Sequence, residues 1–284
     1  MASGTLNLVV VGGGNMGGAV VAAALAGRRS YADVVRVAEP DEAKREKLRV
    51  EHSGGVSLHE SAAEAIGAAG MGSRVVLAVK PQVFPAVAEE IVQAQVLRDQ
   101  LFISIMAGVR TSAVFERLGG GKGLGSHIRV TRAMPNLGLS VGEGMTCVCA
   151  GPGATSEDME FTTSLFDTAG KVVRAEEELF DAFTAVASSG LAYVFYLAQA
   201  MVEGAVAVGF ERGAAVEAVK QTVVGAGALL KSSVEEPGVL VAGVKSKGGT
   251  TEAALNVLDQ RGLADAVVKA ITAARDRGRD LGTA

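Results

Sequence analysis

The run Leu8-Val9-Val10-Val11-Gly12-Gly13-Gly14-Asn15-Met16-Gly17 constrains the fold more than any other stretch of this 284-residue chain. Four apolar residues read as a buried strand, and a helical stretch opens directly behind them. Between the two, Gly12, Gly14 and Gly17 stand at the spacing G-x-G-x-x-G. The first glycine permits the tight turn, the second lets a pyrophosphate approach the backbone, and the third lets helix and strand pack closely. The helix opening at Asn15 and Met16 then turns its free N–H groups toward the phosphates. Such a start is expected to build a βαβ unit and to bind a dinucleotide there.

The rest of the first half agrees. Apolar runs at 6–11, 34–38, 75–79, 102–105, 128–133, 146–150 and 172–174 alternate with stretches of helical period such as 41–50 and 84–96. This alternation predicts a Rossmann-like, doubly wound, mostly parallel sheet within an α/β fold. The dinucleotide-binding domain is expected to span 1–175. The glycine-rich run 119–125 reads as a flexible loop, because a strand follows it where a phosphate cradle needs a helix.

From 176 to 284 the pattern is helical throughout, with segments at 177–188, 192–208, 213–232, 251–261 and 263–281. This predicts an all-α C-terminal domain. Gly225 and Gly227 sit inside an apolar helix, where each costs about 1 kcal/mol against Ala. Close approach of another helix is the expected compensation. So apolar a domain has more surface than one chain hides, so a homodimer about a two-fold axis is expected.

Composition narrows the partners. Hydrophobic residues make up 49% of the chain and aromatics 4%, with 37 Gly and no Trp, so the core must be built from Ala, Val and Leu. The net charge of −4 comes from interspersed acids and bases, which leaves no basic face for nucleic acid. A small molecule is the expected partner. Cys147 and Cys149, two apart on one strand face, match no zinc or redox spacing; they read as reduced thiols of a cytoplasmic protein, and no metal site is expected. The opening MASGTLNLVVV lacks the basic stretch of a signal peptide. The apolar stretch 186–202 is shorter than the roughly 20 residues of a membrane span and reads as a buried helix.

Several residues are candidates for binding. Glu39 ends the second strand about 20 residues beyond Gly17, where an acid binds the adenosine ribose. A carboxylate there accepts from both hydroxyls and repels a 2′-phosphate, which favours NADH over NADPH. Lys44 and Arg45, on the next helix, either meet such a phosphate or are solvated surface residues. Ala78-Val79-Lys80-Pro81 and Ala107-Gly108 follow strand-like runs at the carboxyl edge, where open α/β sheets bind ligands. Further on, Ser246-Lys247-Gly248-Gly249-Thr250-Thr251-Glu252 precedes an amphipathic helix. Backbone N–H groups and hydroxyls at such a helix start suit a carboxylate, and they equally suit an ordinary helix cap. His52, His59 and His127 fall outside these motifs and read as surface or structural residues.

With these motifs in order (GGGNMG, AVKPQ, SIMAGV, RAMPN followed by VGEG, SSGLAYVF, QTVVGAGALL and KSKGGTTEAAL) the chain resembles the pyrroline-5-carboxylate reductase family over nearly its whole length. The resemblance implies a Rossmann domain, a helical dimerisation domain and a site shared between subunits. It also implies reduction of a cyclic imine carboxylate to L-proline by NADPH or NADH. Thr251 matches the family's hydroxyl that hydrogen-bonds the imine nitrogen. Ser246, Lys247, Gly248, Gly249 and Thr250 would hold the carboxylate. The chain departs from the family's usual pattern at Lys247, where Pro is usual, at Gly190-Leu191, where Gly-Pro is usual, and at Leu137-Gly138, where Thr-Pro is usual. Two rivals are weaker. A β-hydroxyacid dehydrogenase would carry G-x-x-x-N-x-x-K in its helical part, and no Lys follows Asn256 within the next turn. A non-catalytic nicotinamide-sensing regulatory protein would have no need of GGTTE.

Overall fold

The computed structural model describes residues 7–27, 35–52, 55–121 and 127–283. Residues 122–125 of the glycine-rich run 119–125 lie outside these. Among the described residues there are eight strands: β1 (Leu8–Val11), β2 (Val35–Ala38), β3 (Val56–His59), β4 (Arg74–Leu77), β5 (Leu101–Ser104), β6 (Arg129–Met134), β7 (Gly144–Ala150) and β8 (Gly170–Arg174). They form one sheet in the order β3-β2-β1-β4-β5-β6-β7-β8. Every pairing is parallel except that of β6 with β7. The helices between them are α1 (Asn15–Ala26), α2 (Glu42–Glu51), α3 (Ala62–Ala69), α4 (Phe84–Gln93), α5 (Thr111–Arg117) and α6 (Ser156–Asp167). This is the doubly wound arrangement expected from the alternating pattern.

The pleat of β1 explains why both faces are covered. Successive residues point to opposite sides. Leu8 and Val10 join Val20 and Val21 of α1 and Leu165 and Phe166 of α6. On the other side, Val9 and Val11 join Ile66 of α3, Phe84 and Ile91 of α4 and Val114 of α5. Burying a side chain of this kind contributes about 1.5–3 kcal/mol. With all four positions of β1 buried, the turn that leaves it is firmly anchored.

Two elements were not legible in the sequence. Strand β3 (VSLH) forms the sheet edge with all four positions half-buried; only Val56 and Leu58 face the core, an alternation too short to stand out. The eight-residue helix over Pro237–Val244 is short, though Pro237 at its first position is a usable signal. Cys147 and Cys149 are free, buried and on one face of β7. Burial pushes both thiols up, that of Cys149 to about 12 with help from the Glu177 carboxylate, so both stay protonated at neutral pH.

The chain divides into two compact units: residues 1–188 with 274–284, and residues 189–273. The first includes the short helix α7 (Phe180–Phe183), followed by one π-helical turn over Thr184–Ser188. The second holds α8 (Gly190–Ala207), α9 (Arg212–Ser232), α10 (Pro237–Val244), α11 (Thr250–Gln260) and the first part of α12 (Leu263–Thr283). Arg212, at the start of α9, grips Glu203 of α8 with two hydrogen bonds of 3.0 and 2.8 Å.

The burial expected for 186–202 does not hold within one chain. No residue of α8 is buried, and Phe195 and Tyr196 are 67% and 77% exposed. By length and composition alone, the run Glu177–Ala207, of which this stretch is part, could cross a membrane. Among the described residues of the single chain, no helix comes close at Gly225 and Gly227, where a Cβ would meet nothing within 4 Å.

Candidate active site

The turn after β1 has the steric character its glycines imply. Gly12 has φ +106°, and a Cβ there would lie 2.8 Å from the Ala78 carbonyl oxygen. A Cβ on Gly17 would overlap the carbonyl oxygen of Gly12. On Gly14 it would meet no atom of the described residues within 4 Å. Gly12 and Gly17 are thus required by packing and Gly14 is not, which fits a position kept bare for a ligand. Two backbone bonds tie the turn to its neighbours: Gly12 N–H donates to Ala38 O and Ala78 N–H to Val11 O, both at 2.8 Å.

At the carboxyl ends of β1, β2 and β4 a cleft of about 400 Å³ brings together Gly12, Gly14, Glu39, Ala78, Val79 and Lys80. The sequence did not single out its other lining groups, among them Glu60, Ser61, Val83 and Glu90. Glu60, Ser61 and Val83 come from the starts of α3 and α4, and Glu90 from the second half of α4. Asn15 lines a separate cleft with Lys47, His52 and Leu137, and Met16 packs under the turn against the core. Pro81, Ala107 and Gly108 lie in the turns after β4 and β5 and do not line the first cleft.

Glu39 is buried, and its carboxylate is already engaged. Oε2 accepts the Gly13 N–H at 2.8 Å and Oε1 the Asp41 N–H at 3.1 Å, with the Lys44 ammonium 3.8 Å from Oε1. The sequence reading had this acid face a ribose alone. The structure adds a second task, holding the glycine turn. A carboxylate has about four acceptor positions, so capacity for ribose hydroxyls remains. Arg45 points elsewhere, donating to the carbonyls of Glu39 and Pro40 at 2.8 Å and pairing with Glu60.

In the second unit, Gly249 caps α11 without a side-chain hydrogen bond. Gly248 has φ +71°, the left-handed region that glycine tolerates. The amides expected to meet a carboxylate are used within the loop: Gly248 N–H donates to Glu252 Oε2 at 2.7 Å and Gly249 N–H to Ser246 O at 3.0 Å. Glu252 also lies 3.6 Å from the Lys245 ammonium. The hydroxyls of Ser246, Thr250 and Thr251 make no hydrogen bond among the described residues. Neither do the first-turn N–H groups of Thr250 and Thr251, which have no intrahelical partner by construction. Lys247 is exposed beside them. Among the described residues no group of three or more His, Cys, Asp or Glu could hold a metal.

Over 278 residues, covering 98% of this chain and 99% of the relative, the sequence is 34% identical to pyrroline-5-carboxylate reductase of Synechocystis sp.. The chain belongs to the pyrroline-5-carboxylate reductase family. Residues 177–281 match the family's description "pyrroline-5-carboxylate reductase dimerisation", and residues 7–108 match "NADP oxidoreductase coenzyme F420-dependent". Among solved structures, the pyrroline-5-carboxylate reductase of Coxiella burnetii superposes with a TM-score of 0.83 at 29% identity, covering 98% of this chain and 99% of that one. The Plasmodium falciparum pyrroline carboxylate reductase, solved with NADP bound, has the same fold at a TM-score of 0.81 and 24% identity, over 98% of both chains.

The departures from the family pattern now have surroundings. A Cβ on Gly138 would overlap the Glu143 carbonyl oxygen, so glycine is what this turn admits. Leu137 is 47% exposed in the Asn15 cleft.

Proposed function

We propose that this protein reduces the C=N bond of 1-pyrroline-5-carboxylate to give L-proline, with NAD(P)H as hydride donor. The observation that carries the reading is the end-to-end match to the Synechocystis reductase. The reduced nicotinamide supplies the hydride when bound. The chain's own residues bind and orient. The glycine turn with Asn15 receives the pyrophosphate, Glu39 the adenosine ribose, and Ala78 to Pro81 with Ala107 and Gly108 border the rest of the dinucleotide. Thr251 holds the imine nitrogen by its hydroxyl. Ser246, Thr250 and the first-turn amides of α11 hold the carboxylate, Lys247 adds positive charge, and Gly248 and Gly249 give the loop its shape. In this reading residues 1–175 bind the dinucleotide, and 176–284 bind substrate and form a homodimer of a cytoplasmic enzyme. The exposed apolar face of α8 falls within the dimerisation match, so its occupant is a second copy rather than a membrane.

The test is oxidation of NADH or NADPH on adding pyrroline and piperideine imines, with and without a carboxylate. The expected result is turnover of 1-pyrroline-5-carboxylate with proline as product. Cofactor binding with no turnover of any imine would favour a nicotinamide sensor.

The finer cofactor choice rests on Glu39. Its carboxylate repels a 2′-phosphate, so kcat/KM is expected to be higher with NADH. Glu39→Ser removes that repulsion and frees Lys44, which now sits 3.8 Å from the acid. The ratio of kcat/KM for NADPH over NADH should rise about tenfold or more, the worth of one charged hydrogen bond. Because the Gly13 N–H also loses its acceptor, the absolute value with NADH should fall. Equal use of both cofactors by the unaltered protein would remove the basis for this expectation.

A further inference from the structure

The glycine turn and Glu39 account for only part of the cleft at the carboxyl ends of β1, β2 and β4. From its cap onward, α4 presents Val83, Val87 and Glu90 to the same space, at spacings of four and three that put them on one stripe of the helix. The stripe is apolar until it ends on a carboxylate. Glu90 Oε1 accepts the Ala63 N–H at 2.8 Å, so this end of the stripe is tied to the start of α3, which follows β3.

Strand order says which part of a dinucleotide lies there. On one side β1 is flanked by β2 and then β3, on the other by β4 and β5. With the pyrophosphate at the turn after β1 and the adenosine ribose at Glu39 after β2, the base continues toward the end of β3. Glu60 and Ser61 follow β3 directly and line the cleft, and Glu90 is held beside them by Ala63. The adenine therefore meets the α4 stripe and its terminal acid.

The three acids of this cleft are not equivalent. Glu39 is engaged by the N–H groups of Gly13 and Asp41. Glu60 pairs with Arg45, and its side chain is 79% exposed. Glu90 is half-buried, and its Oε1 is fixed by a first-turn amide of α3. Its Oε2 makes no hydrogen bond or ion pair among the described residues. A carboxylate only accepts, and adenine offers one exocyclic donor, the amine N6. Val83 and Val87 give apolar contact that any purine would satisfy, so discrimination falls to the polar group.

We infer that Glu90 accepts a hydrogen bond from the N6 amine of the cofactor's adenine, and so selects adenine over purines that lack the amine. The inference rests on the dinucleotide reading of this cleft and is independent of which imine is reduced.

The test is binding alone, read from nicotinamide fluorescence on titration with NADH and with reduced nicotinamide purine dinucleotide, in which hydrogen replaces the amine. The unaltered protein should bind NADH about 10- to 100-fold more tightly, the worth of one hydrogen bond to a charged group. In Glu90→Gln the side-chain oxygen can still accept the Ala63 N–H and the NH2 cannot, which leaves the NH2 for the base. A donor then faces a donor, and the two dinucleotides should bind within about twofold of each other. Loss of a purely structural role would weaken both alike and keep their ratio, which would overturn the inference. Equal affinities in the unaltered protein would overturn it with no variant needed, and so would a preference lost in Glu60→Gln and kept in Glu90→Gln. If Glu90→Gln does not fold, Glu90→Asp keeps the charge but shortens the reach by one methylene, and the same ratio should fall; an unchanged ratio would sink the inference. A chain that reduces no imine leaves this result standing. One that binds neither dinucleotide would overturn the inference together with the reading of the glycine turn.

Discussion

Gly17→Ala should cost the protein its cofactor turn and much of its stability, whereas Gly14→Ala, three residues away, should cost only cofactor binding. The reason is what each new methyl meets. On Gly17 it would overlap the Gly12 carbonyl oxygen, a backbone atom held by the hydrogen bonds around β1, so the α1 start and the strand end must move apart. Overpacking of this kind costs about 1–3 kcal/mol or more. For a chain of this size that lowers Tm by several degrees, at roughly 2–4 °C per kcal/mol. On Gly14 the methyl meets no atom of the described residues, and its φ of −70° is ordinary for any residue. Alanine is a poor N-cap but restricts the unfolded chain, and these effects offset to within about 1 kcal/mol. The same methyl stands where a pyrophosphate would approach, so affinity for either cofactor should fall by about 100-fold or more. Thermal melts with cofactor titrations separate the two cases. A Gly14→Ala protein that binds cofactor normally would take the phosphates away from this turn.

That contrast also marks what the sequence could and could not reveal. Spacing placed Gly12, Gly14 and Gly17 correctly on a strand–turn–helix, because the pattern follows from local sterics. It placed Glu39 at the end of β2 for the same reason. It did not disclose that Glu39 holds the Gly13 N–H, since that contact joins residues 26 apart and depends on how two turns meet. Asn136 was visible within RAMPN, yet its partner Ala187 lies 51 residues on. The π turn it clamps looks like plain helix in one dimension. Strand β3 escaped because an edge strand need not be apolar on both faces. The apolar stretch of α8 is legible, but its exposure within a single chain is not. Periodicity reports that a face is apolar and says nothing of whether the covering atoms belong to the same chain.

Thr251→Val should lower kcat by roughly 10- to 100-fold, the equivalent of losing one hydrogen bond to a charged group of about 1.5–3 kcal/mol. The variant is a clean one for structural reasons. Thr251 is the second residue of α11, half-buried, and its hydroxyl serves no internal hydrogen bond among the described residues. Valine has the same shape and the same stiff χ1, so neither the helix start nor its packing has cause to change. The hydroxyl is assigned to the imine nitrogen and not to the dinucleotide, so the Kd for NAD(P)H should be unaltered. Thr251→Ser, which restores a hydroxyl, should recover most of the rate. An unchanged kcat in Thr251→Val would move the contact with the imine nitrogen to another group. The pH dependence tells what that contact does. A threonine hydroxyl does not ionise in the working range, so it cannot deliver the proton that the ring nitrogen must gain. If the substrate arrives as the iminium, Thr251 accepts its N–H, and kcat/KM should follow the imine's own ionisation in both the unaltered protein and the valine variant. The two profiles should then be parallel, separated by the same factor at every pH. A profile that changes shape on losing the hydroxyl would mean that Thr251 carries the proton after all, relayed from a group it touches.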